Sequence, residues 1–385
     1  NFMAQGIFRD SFSSCFLTQF FARAMKLTIA FTGAAAAPLK CGVASARFNA
    51  CASCLDAVLS TGKVDFWWNW DTQTKVDYTA LSPANQAKAN ETFVPMIWGQ
   101  VLPDGDWDFL SKGTHIMGFN EPDQYGPSCD GDWNPPAYGC SAGEWRAATS
   151  SGWAPLFDPS AGSAGNPHAA TYWQDVINKL TAKTGGPRQV VSPSMAQVAE
   201  PGASCIGVDP SGADNPKYCY GWLKAFKTAT LALDCTDFQG KTTNCWDVID
   251  AIQIHAYART AAEVKEKIKG YETIFQEDFD GTNGRKKKTL WLTEVAMGSN
   301  NATEITGFVD DLMNEKDGLN NRETFGFVEK VSWFSDYSFD SFKVGTYVPH
   351  ENEVWSSTLF FPFGQLSPVG ERFFSHCGSS SSVMV

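Results

Sequence analysis

Short apolar runs alternate with amphipathic segments from residue 41 onward, and this alternation predicts the fold. Eight runs have the continuous apolar character of parallel strands that are covered on both faces. They are 41–46, 64–70, 92–98, 115–121, 189–195, 249–257, 289–295 and 330–335. Strands that alternate with helices are typical of a parallel α/β sheet or barrel.

Three of the intervening segments repeat apolar residues with the 3.6-residue period of a helix that buries one stripe. We expect them to pack on the sheet as an outer layer. Their apolar residues are Trp173, Val176, Ile177 and Leu180; Val264, Ile268, Tyr271 and Phe275; and Ile305, Phe308, Val309 and Leu312. The loops 122–142 and 196–221 are long and rich in Pro, Gly, Cys and aromatic residues, and barrels place their binding residues in such loops.

Two of the apolar runs end on a glutamate, Glu121 and Glu294. A carboxylate at the C-terminal end of a buried parallel strand lies where the core stops and the cleft begins. Such a pair can perform acid/base chemistry. Pro122 disfavours a helical conformation in the residue before it, so we expect Glu121 to be extended at its strand tip.

The net charge and the tryptophan content of the chain indicate which class of ligand it binds. The chain has 385 residues and a formal net charge of −12, which opposes attraction to nucleic acid phosphates. The basic run 285–288 is interpreted as a solvated loop before the strand that carries Glu294. The chain has 14 Trp, more than a core needs, and their amphipathic rings suit a neutral polysaccharide.

The N-terminal region resembles an export signal. Residues 25–40 combine a basic start, a short apolar stretch and small residues, and the stretch is too short to span a membrane. We therefore interpret 1–24 as a disordered upstream extension, 25–40 as a secretory signal peptide, 41–377 as the enzyme domain and 378–385 as a short tail. Two Asn-x-Thr sequons, at Asn90 and Asn301, agree with a secreted, extracellular glycoprotein.

Cysteine usage agrees with export. Of the 11 cysteines, Cys15 precedes the expected cleavage site and leaves ten, an even number. Pairs close in sequence predict loop disulfides: Cys129–Cys140, Cys205–Cys219 and Cys235–Cys245. Cys41, Cys51, Cys54 and Cys377 are expected to form bridges too, because the Cys51-x-x-Cys54 pair has no second pair at the spacing of a zinc site.

Five ordered motifs, together with segments 64–70 and 364–370, resemble glycoside hydrolase family 128 over about residues 41 to 376. The motifs are Gly118–Asp123, Ser192–Ala196, Ile252–Tyr257, Trp291–Glu294 and Val331–Phe334. The resemblance implies a single (β/α)8 TIM barrel, here with long, disulfide-stapled βα loops. It also implies retaining, endo-type cleavage of β-1,3-glucan, with Glu121 as acid/base and Glu294 as nucleophile.

Acetal hydrolysis requires one protonated and one ionised carboxyl group, and the two glutamates supply both. Around them we expect substrate-binding residues on neighbouring strands. Asn120 could bind the sugar 2-hydroxyl, the hydroxyl of Tyr257 could orient Glu294, and His255 is either a ligand or a hydrogen-bonded core residue. We expect the ring of Trp333 to stack against the sugar at the cleavage point. Further candidates line one arm of the substrate cleft: Trp68, Asn69 and Trp98. Each of these residues could equally belong to the core.

Alternatives remain open at the level of sequence. A β-1,4-mannanase or a cellulase would share the two-glutamate barrel, and a non-catalytic carbohydrate-binding or cell-wall protein would share the fold. The inserts around 129–140, 205–219 and 235–245 depart from the family pattern and leave linkage preference undecided. No nucleotide-binding or binuclear metal signature occurs, so we expect neither cofactor nor metal, and no Ser-hydrolase elbow is present. We also expect a monomer without a membrane span.

Overall fold

The structure is a computed structural model. It describes residues 37–45, 47–49, 51–99, 107, 110, 113–122, 162–163, 166–167, 169–183, 189–195, 220–299, 301–334, 359 and 366–378. Several expectations lie outside these residues: the upstream extension, almost all of the signal peptide and tail, and the pairs Cys129–Cys140 and Cys205–Cys219.

A seven-stranded parallel sheet organises the chain. Its strands are β1 Lys40–Ala44, β2 Phe66–Trp68, β3 His115–Met117, β6 Gln189–Val191, β9 Ala251–Ala258, β10 Thr289–Met297 and β11 Val328–Trp333. They lie side by side in the order β2-β1-β11-β10-β9-β6-β3. Two small antiparallel pairs lie outside it, β4 Gly162–Ser163 with β5 Asn166–Pro167 and β7 Asp234–Thr236 with β8 Thr242–Asn244.

The predicted strand 92–98 joins the two edges of this sheet through isolated bridges. Phe93 pairs with Trp67 of β2, and Met96 pairs with Met117 of β3. The Met117 N–H donates to the carbonyl of Pro95 at 2.9 Å. Because Pro95 has no N–H to donate, the segment forms bridges rather than a continuous ladder. With it, the sheet closes into the expected α/β barrel.

Helices cover the outside of the barrel. Their bounds are α1 Ala52–Ser60, α2 Pro83–Thr92, α3 Ala169–Thr181, α4 Tyr220–Leu231, α5 Cys245–Val248, α6 Ala261–Ile274, α7 Gln276–Asp280, α8 Ala302–Met313, α9 Arg322–Phe325 and α10 Pro368–Ser375. The apolar stripes expected on α3, on α8 and on α6 with the following Phe275 are all buried, which confirms the helical periodicity.

The described residues form two apolar cores. The larger lies between the sheet and the helices. A smaller one fills the barrel interior and includes Phe66, Trp68, Met117 and Trp291. Trp70, Trp98 and Phe334 are partly exposed and pack against this interior core. Each of these three follows a strand segment, so they mark the C-terminal mouth of the barrel, where barrel enzymes hold their active sites.

Three disulfides lie in the described part of the chain. Cys235–Cys245 confirms one predicted loop pair, and Cys41–Cys377 and Cys51–Cys54 provide the bridges expected of the other four. Cys41–Cys377 ties β1 to the residues after α10. β1 begins at Lys40, and Leu39 before it is buried.

Within the ranges described, no helix is both long and apolar enough to cross a membrane.

Candidate active site

Glu294 reaches the barrel interior because β10 contains an irregularity beside it. Leu292 pairs with Ile254 and Glu294 pairs with His255, so Thr293 is an extra residue on this strand. Trp291 belongs to the interior core. Strict alternation from Trp291 would turn residue 294 outward. The extra residue reverses that parity, as bulges beside active sites commonly do, and Glu294 is left only 3% exposed.

Glu121 lies across the mouth in a strained conformation. Its φ is +47°, in the left-handed region, so the expected extended conformation is wrong. Backbone contacts outweigh the preference imposed by Pro122: the Glu121 N–H donates to the Ser194 carbonyl at 2.9 Å. Gly118 permits this close approach, since a Cβ there would lie 2.7 Å from the nitrogen of Pro193. Strain of this kind clusters at functional sites.

His255 on β9 links the two glutamates. Its Nδ1 lies 2.7 Å from Oε1 of Glu121 and 3.4 Å from Oε2 of Glu294. Its Nε2 is buried without a hydrogen-bond partner among the described residues. With the proton on Nδ1, the buried Nε2 carries a lone pair. An unpaired lone pair costs less free energy than the unpaired N–H that the other tautomer would bury there. In this tautomer His255 donates to Glu121.

Both carboxylate oxygens of Glu294 accept hydrogen bonds. The hydroxyl of Tyr257 donates to Oε2, the contact expected from the sequence. The indole Nε1 of Trp70 donates to Oε1 at 2.8 Å. Trp70 was not among the candidates. It shares with Glu121 a positive φ, +59°, which is uncommon for a bulky residue. Its position two residues after Trp68, on the same face of the strand, was the available signal.

The site raises the pKa of both glutamates. Burial raises the pKa of Glu121 to about 7, against the opposing charge of Lys267. Burial also raises the pKa of Glu294 to about 7, and the hydrogen bonds that Tyr257 and Trp70 donate oppose this rise. Burial lowers the pKa of His255 to about 4, so its ring is neutral near pH 7. Near neutral pH the two carboxyl groups can therefore hold a proton between them.

Lys267 of α6 contacts the backbone of β9 at His255. Its Nζ donates to the carbonyl of His255 at 2.5 Å, and only 7% of the residue is exposed. This buried positive charge favours the neutral imidazole and the ionised form of Glu121. Lys267 thus adds to the effect of burial on His255 and opposes it on Glu121.

The two glutamates and His255 also form the one cluster, in the described part of the chain, that could hold a metal ion. One atom of each lies within 4.8 Å of the others. Both oxygens of Glu294 already accept hydrogen bonds, from Trp70 and Tyr257. These contacts suit a carboxylate that takes part in acid/base chemistry better than a metal ligand.

Two other expected residues adjoin this site. Asn120 is 6% exposed, and its Oδ1 is buried without a hydrogen-bond partner among the described residues. Its N–H donates to the carbonyl of Trp98 at 3.0 Å. Trp98 is partly exposed and packs on the interior core. Both positions are compatible with a sugar ligand.

Trp68 and Asn69 do not line the cleft, and these expectations are wrong. Trp68 is fully buried, and its Nε1 donates to Ser332 inside the barrel at 3.2 Å. It supports Trp70 from below, with ring centroids 4.5 Å apart. Asn69 uses its side chain within the adjoining loop, where its Nδ2 donates to the carbonyl of Gln73 at 3.1 Å.

Trp333 is likewise a core residue and not the sugar platform. It is fully buried between the sheet and the helices, with its ring 5.7 Å from Phe373 and 6.2 Å from Phe308. Successive strand residues point to opposite faces. The next residue, Phe334, therefore faces the mouth, where its ring lies 5.2 Å from Tyr257 and 5.6 Å from Trp70.

Alanine substitutions at Trp333 and Phe334 distinguish the core from the barrel mouth. We expect Trp333→Ala to lower the free energy of unfolding by about 3–5 kcal/mol, because it leaves a large cavity. The kcat of the remaining folded protein should change little. Phe334→Ala should lower kcat/KM with a much smaller loss of stability. Urea unfolding and kinetics on both variants check this, and a selective catalytic defect in Trp333→Ala would contradict it.

The chain belongs to the glycosyl hydrolase catalytic core family, whose model matches residues 43–135 and 158–373. The resemblance to glycoside hydrolase family 128 noted in the sequence is confirmed. No curated protein matches the chain.

Solved structures are similar to this chain at low identity. A family 128 (subgroup VI) exo-β-1,3-glucanase from Aureobasidium namibiae is 15% identical with a TM-score of 0.50, over 89% of this chain and 97% of that one. A subgroup IV endo-β-1,3-glucanase from Lentinula edodes is 16% identical with a TM-score of 0.49, over 87% and 98%. A subgroup VII oligosaccharide-binding protein from Trichoderma gamsii is 18% identical with a TM-score of 0.44, over 88% and 93%.

Proposed function

We propose that this protein is a secreted, retaining endo-β-1,3-glucanase in which Glu294 is the nucleophile and Glu121 the acid/base. The observation that carries the proposal is the close approach of the two carboxyl groups across the barrel mouth. Family membership supplies the reaction class, glycoside hydrolysis. The β-1,3-glucan substrate rests on the resemblance to family 128, and the disulfides agree with export.

The separation of the carboxylates supports retention. One carboxylate oxygen of Glu121 lies within 4.8 Å of one carboxylate oxygen of Glu294. Retaining glycosidases hold their carboxyl groups about 5–5.5 Å apart, whereas inverting ones need about 6.5–9.5 Å to admit a water. The short gap leaves room for direct attack on the anomeric carbon.

The hydrogen bonds support the assignment of roles. Tyr257 and Trp70 both donate to Glu294, which favours its ionised form and aims its oxygens. Glu121 accepts a hydrogen bond from neutral His255. Glu294 is thus the group that attacks the anomeric carbon, and Glu121 is the group that protonates the leaving oxygen and later deprotonates water.

Sugar binding is assigned to groups beside this pair. The buried Oδ1 of Asn120 has no hydrogen-bond partner in the described ranges, so we assign it to the sugar 2-hydroxyl, a contact that strengthens in the transition state. Phe334, Trp70 and Trp98 are partly exposed at the mouth and offer apolar surface to the sugar rings.

Product analysis tests the substrate assignment. We expect purified protein to release oligosaccharides from laminarin, with shorter products accumulating over time, and to leave mannan and cellulose intact. Mixed-linkage glucan reports how strictly the 1,3-linkage is required. Release of glucose alone would indicate exo action, and binding of laminarin without products would indicate a carbohydrate-binding protein.

Trp70 acts as a positioning residue for the nucleophile. Trp70→Phe keeps an aromatic ring but removes the N–H, so we expect kcat to fall about 10–100-fold, the worth of a hydrogen bond to a charged group. Because that bond lowers the pKa of Glu294, its loss should also shift the acidic limb of the kcat/KM profile to higher pH.

A matched variant is available in the same aromatic pair. Trp68→Phe removes the N–H donated to Ser332 and leaves Glu294 untouched. It should keep the pH profile of the parent enzyme. Equal kinetic defects in both variants, or an unshifted acidic limb in Trp70→Phe, would refute the positioning role.

A further inference from the structure

Among the three disulfides of the described ranges, Cys51–Cys54 differs from the other two in loop length and exposure. It joins residues 3 positions apart, against 10 for Cys235–Cys245 and 336 for Cys41–Cys377. Because the entropy removed from the unfolded chain grows with loop length, the shortest bridge stabilises the fold least. Cys51 is also partly exposed, whereas the cysteines of the two longer bridges are buried.

The two sulfurs of the short bridge have unequal access. Cys54 is 1% exposed and packs into the core from the first turn of α1. Cys51 stands before the helix as its N-cap residue and makes no side-chain capping hydrogen bond. A thiol from solution can therefore reach Cys51 first.

The helix end favours a thiolate at this position. The first turn of α1 carries no acidic side chain. The positive end of the helix dipole is therefore not compensated by a negative side chain in that turn. A Cys-x-x-Cys pair at a helix N-terminus is the arrangement in which thiolates are stabilised and thiol exchange is rapid.

We propose that Cys51–Cys54 is a redox-active disulfide that exchanges with dithiols, while Cys235–Cys245 and Cys41–Cys377 are structural. The thiolate of a dithiol attacks the sulfur of Cys51, the Cys51–Cys54 bond breaks, and Cys54 leaves as a thiolate that takes up a proton. In the mixed disulfide the reductant's first sulfur is bonded to Cys51. The second thiol of the reductant attacks that first sulfur and closes an intramolecular disulfide, and Cys51 leaves as a thiolate that takes up the proton. The protein gains two electrons, and the dithiol becomes a disulfide.

Backbone contacts keep the reduced form folded. The N–H of Cys54 donates to the carbonyl of Cys51 at 3.0 Å, and that of Leu55 donates to the same carbonyl at 3.4 Å. Leu55, Val58 and Leu59 anchor α1 in the core. Opening the bridge therefore leaves the first turn in place, so the exchange is reversible and does not require unfolding.

Differential alkylation of the full-length wild-type protein tests the proposal. The protein is exposed to limiting dithiothreitol, quenched with acid, alkylated and digested, and each cysteine is quantified by peptide mass spectrometry. We expect Cys51 and Cys54 to become alkylated at least about tenfold faster than Cys235, Cys245 and the Cys41–Cys377 pair. Reduction of either longer disulfide at the same rate or faster would overturn the proposal.

Two single variants test which sulfur is attacked. In Cys54→Ser the partly exposed Cys51 remains, and it should form a mixed disulfide with oxidised glutathione. In Cys51→Ser the buried Cys54 remains and should stay a thiol. Equal glutathionylation of the two variants would refute the assigned order of attack, and thermal unfolding of both confirms that the comparison is made on folded protein.

Discussion

Glu294→Gln should abolish hydrolysis and at the same time stabilise the fold. The amide cannot attack the anomeric carbon, so kcat should fall at least about a thousandfold on every substrate. Burial raises the pKa of Glu294 to about 7 in the folded protein. The unfolded chain releases this proton at lower pH, so the carboxyl group costs stability increasingly as pH rises through the interval between its ordinary pKa and 7.

The stability gain of this variant should therefore depend on pH. At pH 8 we expect Glu294→Gln to raise the free energy of unfolding by about 1–3 kcal/mol, and near pH 4 the difference should vanish, because the wild-type carboxyl is then protonated in both states. Denaturant unfolding at the two pH values measures it.

Glu329 supplies a control of opposite sign. Burial alone would raise its pKa, but Lys330 and Lys40 lower it to about 2, and its Oε1 lies 2.9 Å from Nζ of Lys40. Its charge thus stabilises the fold above its ordinary pKa. We expect Glu329→Gln to lose stability at neutral pH and to keep its turnover per folded molecule. A loss of stability in Glu294→Gln at pH 8 would contradict the electrostatic description of the site.

Glu121→Gln should show a defect that depends on the leaving group. General acid catalysis contributes about 10²–10⁴-fold, and this is the loss we expect on glucan, whose alkoxide leaving group needs a proton. Aryl glucosides with acidic phenols need none for departure. Formation of the glycosyl-enzyme should therefore be nearly normal with them, and its hydrolysis should become rate-limiting because Glu121 also activates water.

Burst kinetics detect this pattern. With a nitrophenyl β-glucoside or laminaribioside, Glu121→Gln should release a stoichiometric burst of phenol and then turn over slowly. Glu294→Gln should show no burst on the same substrate. The same defect on aryl and natural substrates in Glu121→Gln would mean that this residue is not the acid.

The sequence was sufficient for those features that periodicity controls. Strand runs and helix stripes predicted the barrel because burial imposes periods of 2 and 3.6 residues. The C-terminal placement of Glu121, Glu294, His255 and Tyr257 followed from the same strands. All four come together within one hydrogen-bonded network.

Features that depend on pairing partners escaped prediction. The bulge at Thr293, which turns Glu294 inward, arises from the register between β10 and β9. Trp333 and Phe334 differ by one residue, so an error of one position exchanged a core ring for a ring at the mouth. The left-handed φ of Glu121 depends on contacts with Ser194, 73 positions away in the chain.

Chemical rescue can identify the residue that attacks the sugar. Glu294→Gly leaves space for a small anion, so azide should restore cleavage of an activated β-glucoside and give the α-glucosyl azide. Azide should have no such effect on Glu294→Gln, whose amide still fills the space. A β-configured azide product from Glu294→Gly would point to a different nucleophile.

The anomeric configuration of the first product tests the retaining mechanism most directly. Proton NMR of a laminari-oligosaccharide digested by the wild-type enzyme resolves the α and β anomeric signals before mutarotation mixes them. With one carboxylate oxygen of Glu121 within 4.8 Å of one of Glu294, two displacements at the anomeric carbon should give the β-anomer first. If the α-anomer appears first, the reaction inverts, and Glu294 is not the nucleophile.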